Sequence, residues 1–326
     1  MATTPEPVPA KPQRRRTKAI LFAVFKWLLF LAVLFFVGRA MVRQFVGMSW
    51  DEIHFGIPWL VLAAASVLAA RGMCFLPYGL LLRHFCRRPP WRVIMSTVWM
   101  AQIGKYLPGK VGAVAGMVWL FRRHKVSPRV SVATVFMIDS VSVIVGMMVA
   151  VPLALWWEPV RTNLPLAWLW CLILLVLGLA CLHPRLFGPL CNFALRKLGQ
   201  EPFESFPRVH DFLWPVMVML AQFVLSGFGL WLMATAITDV PVSRLPLFVS
   251  ASALVGVLGH VSFFAPAGIG VQEGLLLLVL GPLIGGSEAA ILAVAMRFTQ
   301  IVADVIIAAA GFTLVRFAPG LRRTEA

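Results

Sequence analysis

The sequence predicts an all-α polytopic membrane protein, and its composition, its apolar runs and its charge distribution carry that prediction. Of the 326 residues, 60% are hydrophobic and only 13% are charged, whereas soluble domains carry about 25% charged residues. Apolar runs of roughly 20 residues, enough to cross a bilayer, recur along the chain, and two long apolar segments are each interrupted near their middle. We therefore expect about six full transmembrane helices and two re-entrant hairpins made of broken helices.

The N-terminus is proline-rich and then basic, so residues 1–17 are expected to form a disordered cytoplasmic tail. The apolar run behind this tail is too long for a signal-peptide core and has no small-x-small cleavage site after it. It is therefore expected to remain as the first helix of a membrane domain at 18–316, with a cytoplasmic tail at 317–326. The apolar runs place the full helices near 18–38, 57–82, 130–152, 164–182, 212–238 and 288–315.

The basic residues lie mostly on one side of this arrangement. Both termini are basic, and four Lys or Arg residues stand in each of the loops 83–92, 122–129 and 183–211. The opposite loops contain four: Arg39, Arg43, Arg161 and Arg244. This asymmetry predicts a cytoplasmic (inner) membrane protein with both termini in the cytoplasm. The net charge of +16 then serves orientation and contact with anionic lipids, and nucleic-acid binding is not expected.

The apolar segment 93–121 has basic loops on both sides and a break at its centre. About 29 residues cannot form two full spans at 1.5 Å per residue across roughly 30 Å. A hairpin that enters and leaves on the same side is therefore predicted. Pro108 would end the first arm, and Gly109 and Gly112 would permit a tight turn. Such irregular backbone survives in a membrane only inside protein or beside a wet cavity.

The same break also fits the first seven positions of a nucleotide-binding phosphate loop, through Gly104, Gly109 and Lys110. That loop needs a preceding strand and a Ser or Thr after the lysine, and Val111 stands there instead. The sequence therefore argues against an NTPase. Backbone N–H groups at a half-helix start, together with two lysines, would still suit an anionic headgroup.

The second interrupted segment, 245–283, repeats the design of the first. The pattern P-x-x-x-G-x-x-x-G begins at Pro108 and again, 158 residues later, at Pro266, with Gly268 and Gly270 in the second break. The charge bias sends the first helices of the two halves in opposite directions. This predicts inverted repeats, whose binding sites form where broken helices meet. The two repeat halves are expected at about 57–152 and 212–310.

Two stretches carry a resemblance to a known family: GKYLPGKVGAVAGMVWLFRRHKVS and FFAPAGIGVQEGLLLLVLGPL. They look like the two signature regions of the lysylphosphatidylglycerol synthase transmembrane-region family, a flippase-like domain, and the resemblance covers essentially residues 18–316. It implies lipid movement between leaflets: aminoacylated phosphatidylglycerol in the fused synthases, other phospholipids or polyprenyl-linked sugars in stand-alone members. The fused members add an aminoacyltransferase domain that has no counterpart here, so their substrate is not carried over.

Ionisable residues inside the apolar segments are the candidate functional residues, because each costs about 2.5–3.5 kcal/mol at the bilayer centre on insertion scales. Four basic residues are predicted to bind the substrate: Lys105, Lys110, Arg297 and Arg71. Three acidic residues are predicted to gate transport or couple it to an ion: Asp139, Glu273 and Asp304. Four polar residues are expected to line the same cavity: Gln102, His260, Gln272 and Gln300.

Each assignment has a structural alternative. The two lysines either bind phosphate or extend to water, and Arg71 either contacts substrate or pairs with an acid. Glu273 attracts a cationic headgroup, carries a proton or caps a half-helix. Asp139, Arg297 and Asp304 are expected to form a buried triad, which serves either as scaffold or as gate.

Together these features predict a flippase-like transporter that moves an anionic phospholipid or a polyprenyl-phosphate-linked lipid through a polar cleft between inverted repeats. We expect it not to be an enzyme and to need no cofactor or metal. Its partners are expected to be membrane lipids and a lipid-modifying enzyme or glycosyltransferase. Two alternatives stay open: a membrane enzyme, which the scattered acids disfavour, and a non-transporting scaffold that recruits such an enzyme.

Overall fold

A computed structural model describes residues 56–86, 89–106, 111–156, 206–262 and 265–317, with isolated positions between 24 and 46 and between 158 and 203. These residues form helices and turns, and none of them forms a strand. Within the described part of the chain, six helical stretches are long and apolar enough to cross a membrane: Ile57–Phe85, Pro128–Leu153, Val209–Thr235, Val242–Val261, Pro266–Ile284 and Gly286–Arg316. The prediction of an all-α polytopic membrane protein is confirmed.

The helices of the first half are α1 (Ile57–Gly72), α2 (Phe75–Phe85), α3 (Trp91–Ala101), α4 (Val111–Arg122) and α5 (Pro128–Trp156). Those of the second half are α6 (Leu213–Thr235), α7 (Leu245–Val261), α8 (Val271–Ile284) and α9 (Gly286–Phe317). Short 3₁₀ turns continue α3 (Gln102–Tyr106), precede α6 (Val209–Phe212), precede α7 (Val242–Arg244) and precede α8 (Pro266–Gly268).

Four of the predicted spans are present, near 57–82, 130–152, 212–238 and 288–315. The first of them is not one continuous helix as predicted, because turns at Met73 and Cys74 divide it into α1 and α2. The other two predicted helices and both predicted tails lie outside the continuously described residues. The two remaining candidate spans belong to the second interrupted segment, whose arms are 20 and 19 residues long with their 3₁₀ turns. Length therefore demands re-entry only of the first hairpin, in which α3 has 11 residues and α4 has 12.

The helix orders of the two halves match when α1 and α2 are counted together as the counterpart of α6. Helix α5 begins at Pro128 and α9 begins at Gly286, which is the predicted offset of 158 residues. The broken pair α3 and α4 corresponds to the broken pair α7 and α8. Packing follows the same correspondence, because α3 packs on α9 of the other half and α7 packs on α5.

The equivalent helices α1 and α6 pack against each other in opposite directions. Near the start of α1, the Gly56 N–H donates to the Ala236 carbonyl at 2.9 Å. Near its end, Gln222 Nε2 donates to the Ala70 carbonyl at 3.1 Å. Repeat-related helices that run antiparallel give the two halves opposite orientations, as in inverted-repeat folds.

Glycines shape both breaks. A Cβ on Gly104 would lie 2.5 Å from the carbonyl carbon of Gly112, so a side chain there would push the two arms of the first hairpin apart. In the second break, Gly268 and Gly270 adopt φ angles of 72° and 84°, which L side chains rarely adopt. The first turn itself, with Pro108, Gly109 and Lys110, lies outside the described residues.

Two apolar clusters form the core, and each contains residues from both halves. The first cluster is formed by α2, α3, α4, α5 and the start of α6, and it contains Leu81 and Met137, both fully buried. The second cluster is formed by α1, the end of α6, α7, α8 and α9, and it contains Phe248 and Leu292, also fully buried. The polar residues predicted from the sequence lie between these clusters.

Candidate functional site

A cavity of about 780 Å³ lies between the two halves, within the size range of small-molecule sites. Its charged lining residues are Arg71, Lys105, Asp139, Arg297 and Asp304. The four polar residues expected to line it also do so: Gln102, His260, Gln272 and Gln300. Glu273 lies directly beside it against Arg297. The structure thus brings together every predicted charged residue that it describes, and Lys110 lies outside the described residues.

Asp304 connects the first hairpin to α9. Its Oδ2 atom lies 2.7 Å from Lys105 Nζ and accepts a 2.7 Å hydrogen bond from the Tyr106 hydroxyl. Its Oδ1 atom lies 3.9 Å from Nη1 of Arg71, which projects from α1. The Asp304 side chain is 1% exposed, whereas that of Arg71 is 33% exposed. Two cations on one carboxylate leave a local surplus of one positive charge beside the cavity.

Glu273 and Arg297 connect the second hairpin to α9. Arg297 Nε lies 3.2 Å from Glu273 Oε1, and Glu273 Oε2 accepts the Gly270 N–H at 2.6 Å. Arg297 Nη1 donates to the Ala267 carbonyl at 3.2 Å and to Gln272 Oε1 at 3.3 Å. Its Nη2 has no hydrogen-bond partner within the described part of the chain. This cluster is charge-neutral and holds the second turn in place.

Asp139 on α5 makes the loosest contacts of the three acids. Its Oδ2 lies 3.8 Å from His260 Nε2, and its Oδ1 accepts the Tyr78 hydroxyl at 3.5 Å. The side chains of Asp139 and His260 are 40% and 47% exposed. The contact with His260 becomes an ion pair only when the imidazole is protonated. Asp139 is therefore the acid most open to the cavity.

The predicted triad of Asp139, Arg297 and Asp304 is wrong as a set of pairings. Arg297 and Asp304 do stand seven residues apart on α9, on one helical face, but each pairs with a different hairpin. Their partners are Glu273 and Lys105, respectively. Spacing along one helix shows which residues share a face, and it cannot show which residue of another element lies opposite.

The structure shows one structural alternative for Arg71 and one for Glu273. Arg71 pairs with an acid, Asp304, and it also lines the cavity. Glu273 caps the start of α8 through the Gly270 N–H, and it also pairs with Arg297.

Sequence reasoning missed Tyr78 and Tyr106, which both donate to cavity carboxylates. A signal was available: the chain has 24 phenylalanines and only two tyrosines, so a phenol hydroxyl is rare among its aromatic side chains. Because a buried Tyr hydroxyl usually finds a hydrogen-bond partner, both tyrosines pointed to nearby polar groups.

Antiparallel halves, paired broken helices and a charged cavity between them define a multi-pass membrane protein of the inverted-repeat class. A family model described as "Lysylphosphatidylglycerol synthase TM region" matches residues 18–308, and the chain belongs to this family. The family resemblance of the sequence is thereby confirmed, and the matched region contains all the cavity residues named above. No curated protein matches the chain.

Proposed function

We propose that the protein moves an anionic phospholipid or a polyprenyl-phosphate-linked lipid between the leaflets of the cytoplasmic membrane. The headgroup would pass through the cavity while the lipid chains stay in the bilayer. The observation that carries this proposal is the cavity of about 780 Å³, which both halves line and which contains several ionisable side chains. Such side chains are energetically costly inside a membrane and usually mark a functional site. Membership of a lipid-related membrane family supports it.

Arg71 and Lys105 are the groups best placed to meet a phosphate. Both line the cavity and together exceed the charge of Asp304. A guanidinium offers a planar pair of donors to phosphate oxygens, and an ammonium offers a compact point charge. Much of the remaining lining is apolar, including Val135, Val143 and Leu276, which suits the first hydrocarbon units that adjoin the phosphate of a lipid.

Helix α9 is the element on which both hairpins are fastened. Asp304 holds the first hairpin and Arg297 holds the second, so the two fastenings lie about 10 Å apart along the helix axis at 1.5 Å per residue. The two breaks also contact each other directly. Breaking one fastening would free one hairpin while the other stays fixed, and this would let one repeat open against the other, as in alternating access. Asp304 and Glu273 are the gating residues in this proposal.

We place both termini in the cytoplasm on the basis of the basic loops. At this face, Arg83 lies over the Trp91 ring at 4.7 Å and Arg123 over the Trp119 ring at 3.8 Å. Arginines stacked on tryptophans at helix ends suit the headgroup layer, where amphipathic aromatic rings concentrate. A lipid-modifying enzyme or glycosyltransferase at this face would supply the lipid.

Reconstitution into proteoliposomes tests the proposal. Labelled phosphatidylglycerol in the outer leaflet is bleached by dithionite, and transport appears as a larger bleached fraction than in protein-free vesicles. Lys105→Ala and Arg297→Ala are each expected to slow transport at least about tenfold, equivalent to 1.4 kcal/mol. Arg92→Ala, which removes an exposed arginine outside the cavity, is expected to leave it unchanged.

Each outcome bears on a different part of the proposal. Wild-type protein that moves no lipid above the protein-free rate would remove the transport function. Full transport by both cavity variants would remove the site assignment. New lipid products in these vesicles, detected by mass spectrometry, would favour the membrane-enzyme alternative.

A further inference from the structure

We propose that Asp304 is an internal counter-ion, which balances Arg71 in the empty protein and gives way there to a singly charged phosphodiester while it stays paired with Lys105. This inference rests on the proposed function and specifies how the same site selects its ligand. Asp304 would then compete with the cargo for Arg71 in every transport cycle, because Oδ1 of its carboxylate faces Arg71 again when the headgroup leaves.

The contacts of Asp304 are those that a bound phosphate would make. One oxygen lies 2.7 Å from Lys105 Nζ and accepts the Tyr106 hydroxyl, while the other faces Arg71. A phosphate offers the same arrangement of anionic oxygens to an ammonium, a hydroxyl and a guanidinium. The three donors come from the first hairpin and α1, whereas Asp304 comes from α9 of the other half. Arg71 on α1 and Asp304 on α9 can therefore move apart when the halves move.

The contact between Asp304 and Arg71 is weak enough for a ligand to replace it. The distance of 3.9 Å is too long for a hydrogen bond, and Oδ1 has no hydrogen-bond partner among the residues described. The Arg71 side chain is 33% exposed and lines the cavity, whereas the Lys105 ammonium is buried against Asp304. An oxygen that arrives from the cavity can approach Arg71 more closely than Oδ1 does.

The cluster of Arg71, Lys105 and Asp304 has a net charge of +1, which one negative charge on the ligand would balance. Arg71 and Lys105 contribute two positive charges and Asp304 removes one, while Arg297 is balanced by Glu273. A phosphodiester carries a single negative charge and leaves the occupied site neutral. A phosphomonoester carries about −1.5 to −2 at pH 7, so it would leave excess negative charge beside the buried Asp304. The fixed carboxylate thus favours diesters over monoesters.

Binding of short-chain lipids to the purified full chain in detergent tests the proposal. Dioctanoyl phosphatidylglycerol is the diester probe and dioctanoyl phosphatidic acid is the monoester probe, both measured by isothermal titration calorimetry. Wild-type protein is expected to bind the diester more tightly. Asp304→Asn is expected to bind both more tightly, the monoester by about tenfold or more, equivalent to 1.4 kcal/mol, so that the preference shrinks or reverses. Its transport rate is expected to fall despite the tighter binding.

A matched control separates position from net charge. Asp239→Asn removes the same charge from an exposed site outside the cavity, and it is expected to change neither affinity nor preference. If Asp304→Asn alone does not fold, the double variant Asp304→Asn with Lys105→Gln decides. It keeps Arg71 as one cation without a competitor, and it is expected to bind phosphatidylglycerol at least as tightly as wild type does.

Three results would overturn the counter-ion role: a folded Asp304→Asn variant with unchanged diester affinity, one with an unchanged preference, or a double variant that binds the diester more weakly than wild type does. The binding and transport measurements test the two proposals separately. If wild-type protein binds the lipid but does not move it, the proposed transport function is wrong and the counter-ion role of Asp304 still holds. Glycerophosphoglycerol, the headgroup without chains, is expected to bind more weakly than the lipid; equal binding would identify a soluble phosphodiester as the ligand and overturn the lipid assignment.

Discussion

Replacing Arg297 by methionine tests whether a buried ion pair holds the second hairpin on α9. The change removes an Nε atom 3.2 Å from Glu273 and the Nη1 hydrogen bonds to Ala267 and Gln272. It leaves the Glu273 carboxylate, 10% exposed, without its counter-ion. At this distance the attraction is about 5 kcal/mol for an effective dielectric constant of about 20, and desolvation of the two ions offsets most of it. Losing one partner should therefore cost about 3–5 kcal/mol of unfolding free energy.

The double variant Arg297→Met with Glu273→Gln separates this penalty from ordinary packing loss. It removes both charges, and the glutamine amide still offers an oxygen to the Gly270 N–H. We expect it to lose only about 1–3 kcal/mol, because the two hydrogen bonds to Ala267 and Gln272 are long, at 3.2 and 3.3 Å, and contribute about 0.5–1.5 kcal/mol each. The double variant should thus be more stable than the single one.

Unfolding in mixed detergent and dodecyl sulfate micelles, followed by tryptophan fluorescence, measures these free energies. Arg92→Met, at an exposed position, is the control and should stay within about 0.5 kcal/mol of wild type. The reasoning is refuted if Arg297→Met also stays within that range, or if the double variant loses as much as the single variant or more.

Two further predictions use the same unfolding measurement. Gly104→Ala should lose about 1–3 kcal/mol by overpacking, because its Cβ would lie 2.5 Å from the facing arm, while Gly72→Ala, with nothing within 4 Å, should lose none; equal effects would contradict the close approach. Tyr106→Phe should lose about 1.5–3 kcal/mol, the value of a hydrogen bond to a charged group, because it removes the 2.7 Å contact with Asp304. Tyr78→Phe, whose contact is 3.5 Å long, should lose less than about 0.5 kcal/mol by the same scale, and a larger loss than that of Tyr106→Phe would overturn the ranking.

The sequence predicted the frame of the molecule because that frame follows from local properties. Apolar run length fixes where helices cross, and the motif at Pro108 and Pro266 gave an offset at which α5 and α9 do begin. The argument against a nucleotide loop also agrees with the structure, since helix α3 precedes the break at the place where such a loop requires a strand.

The pairing of the charges was not predictable in the same way. The residues that would line a cavity were found, because an ionisable side chain in an apolar run has few other places to lie. Which cation meets which acid depends on how the hairpins fold back onto α9, and pairs such as Lys105 with Asp304 leave no spacing pattern in the chain. The same reason explains the wrong triad and the missed tyrosines.

The central claim is that a lipid headgroup enters the cavity between the two halves while its chains stay outside. Photocrosslinking in proteoliposomes tests this most directly, with two phosphatidylglycerol probes that carry a diazirine either on the headgroup or at the end of an acyl chain. We predict that the headgroup probe modifies cavity residues around Arg71 and Gln300, and that the chain probe modifies outward residues such as Phe298, 68% exposed. Headgroup labelling confined to the ends of the helices, with none in the cavity, would contradict the account.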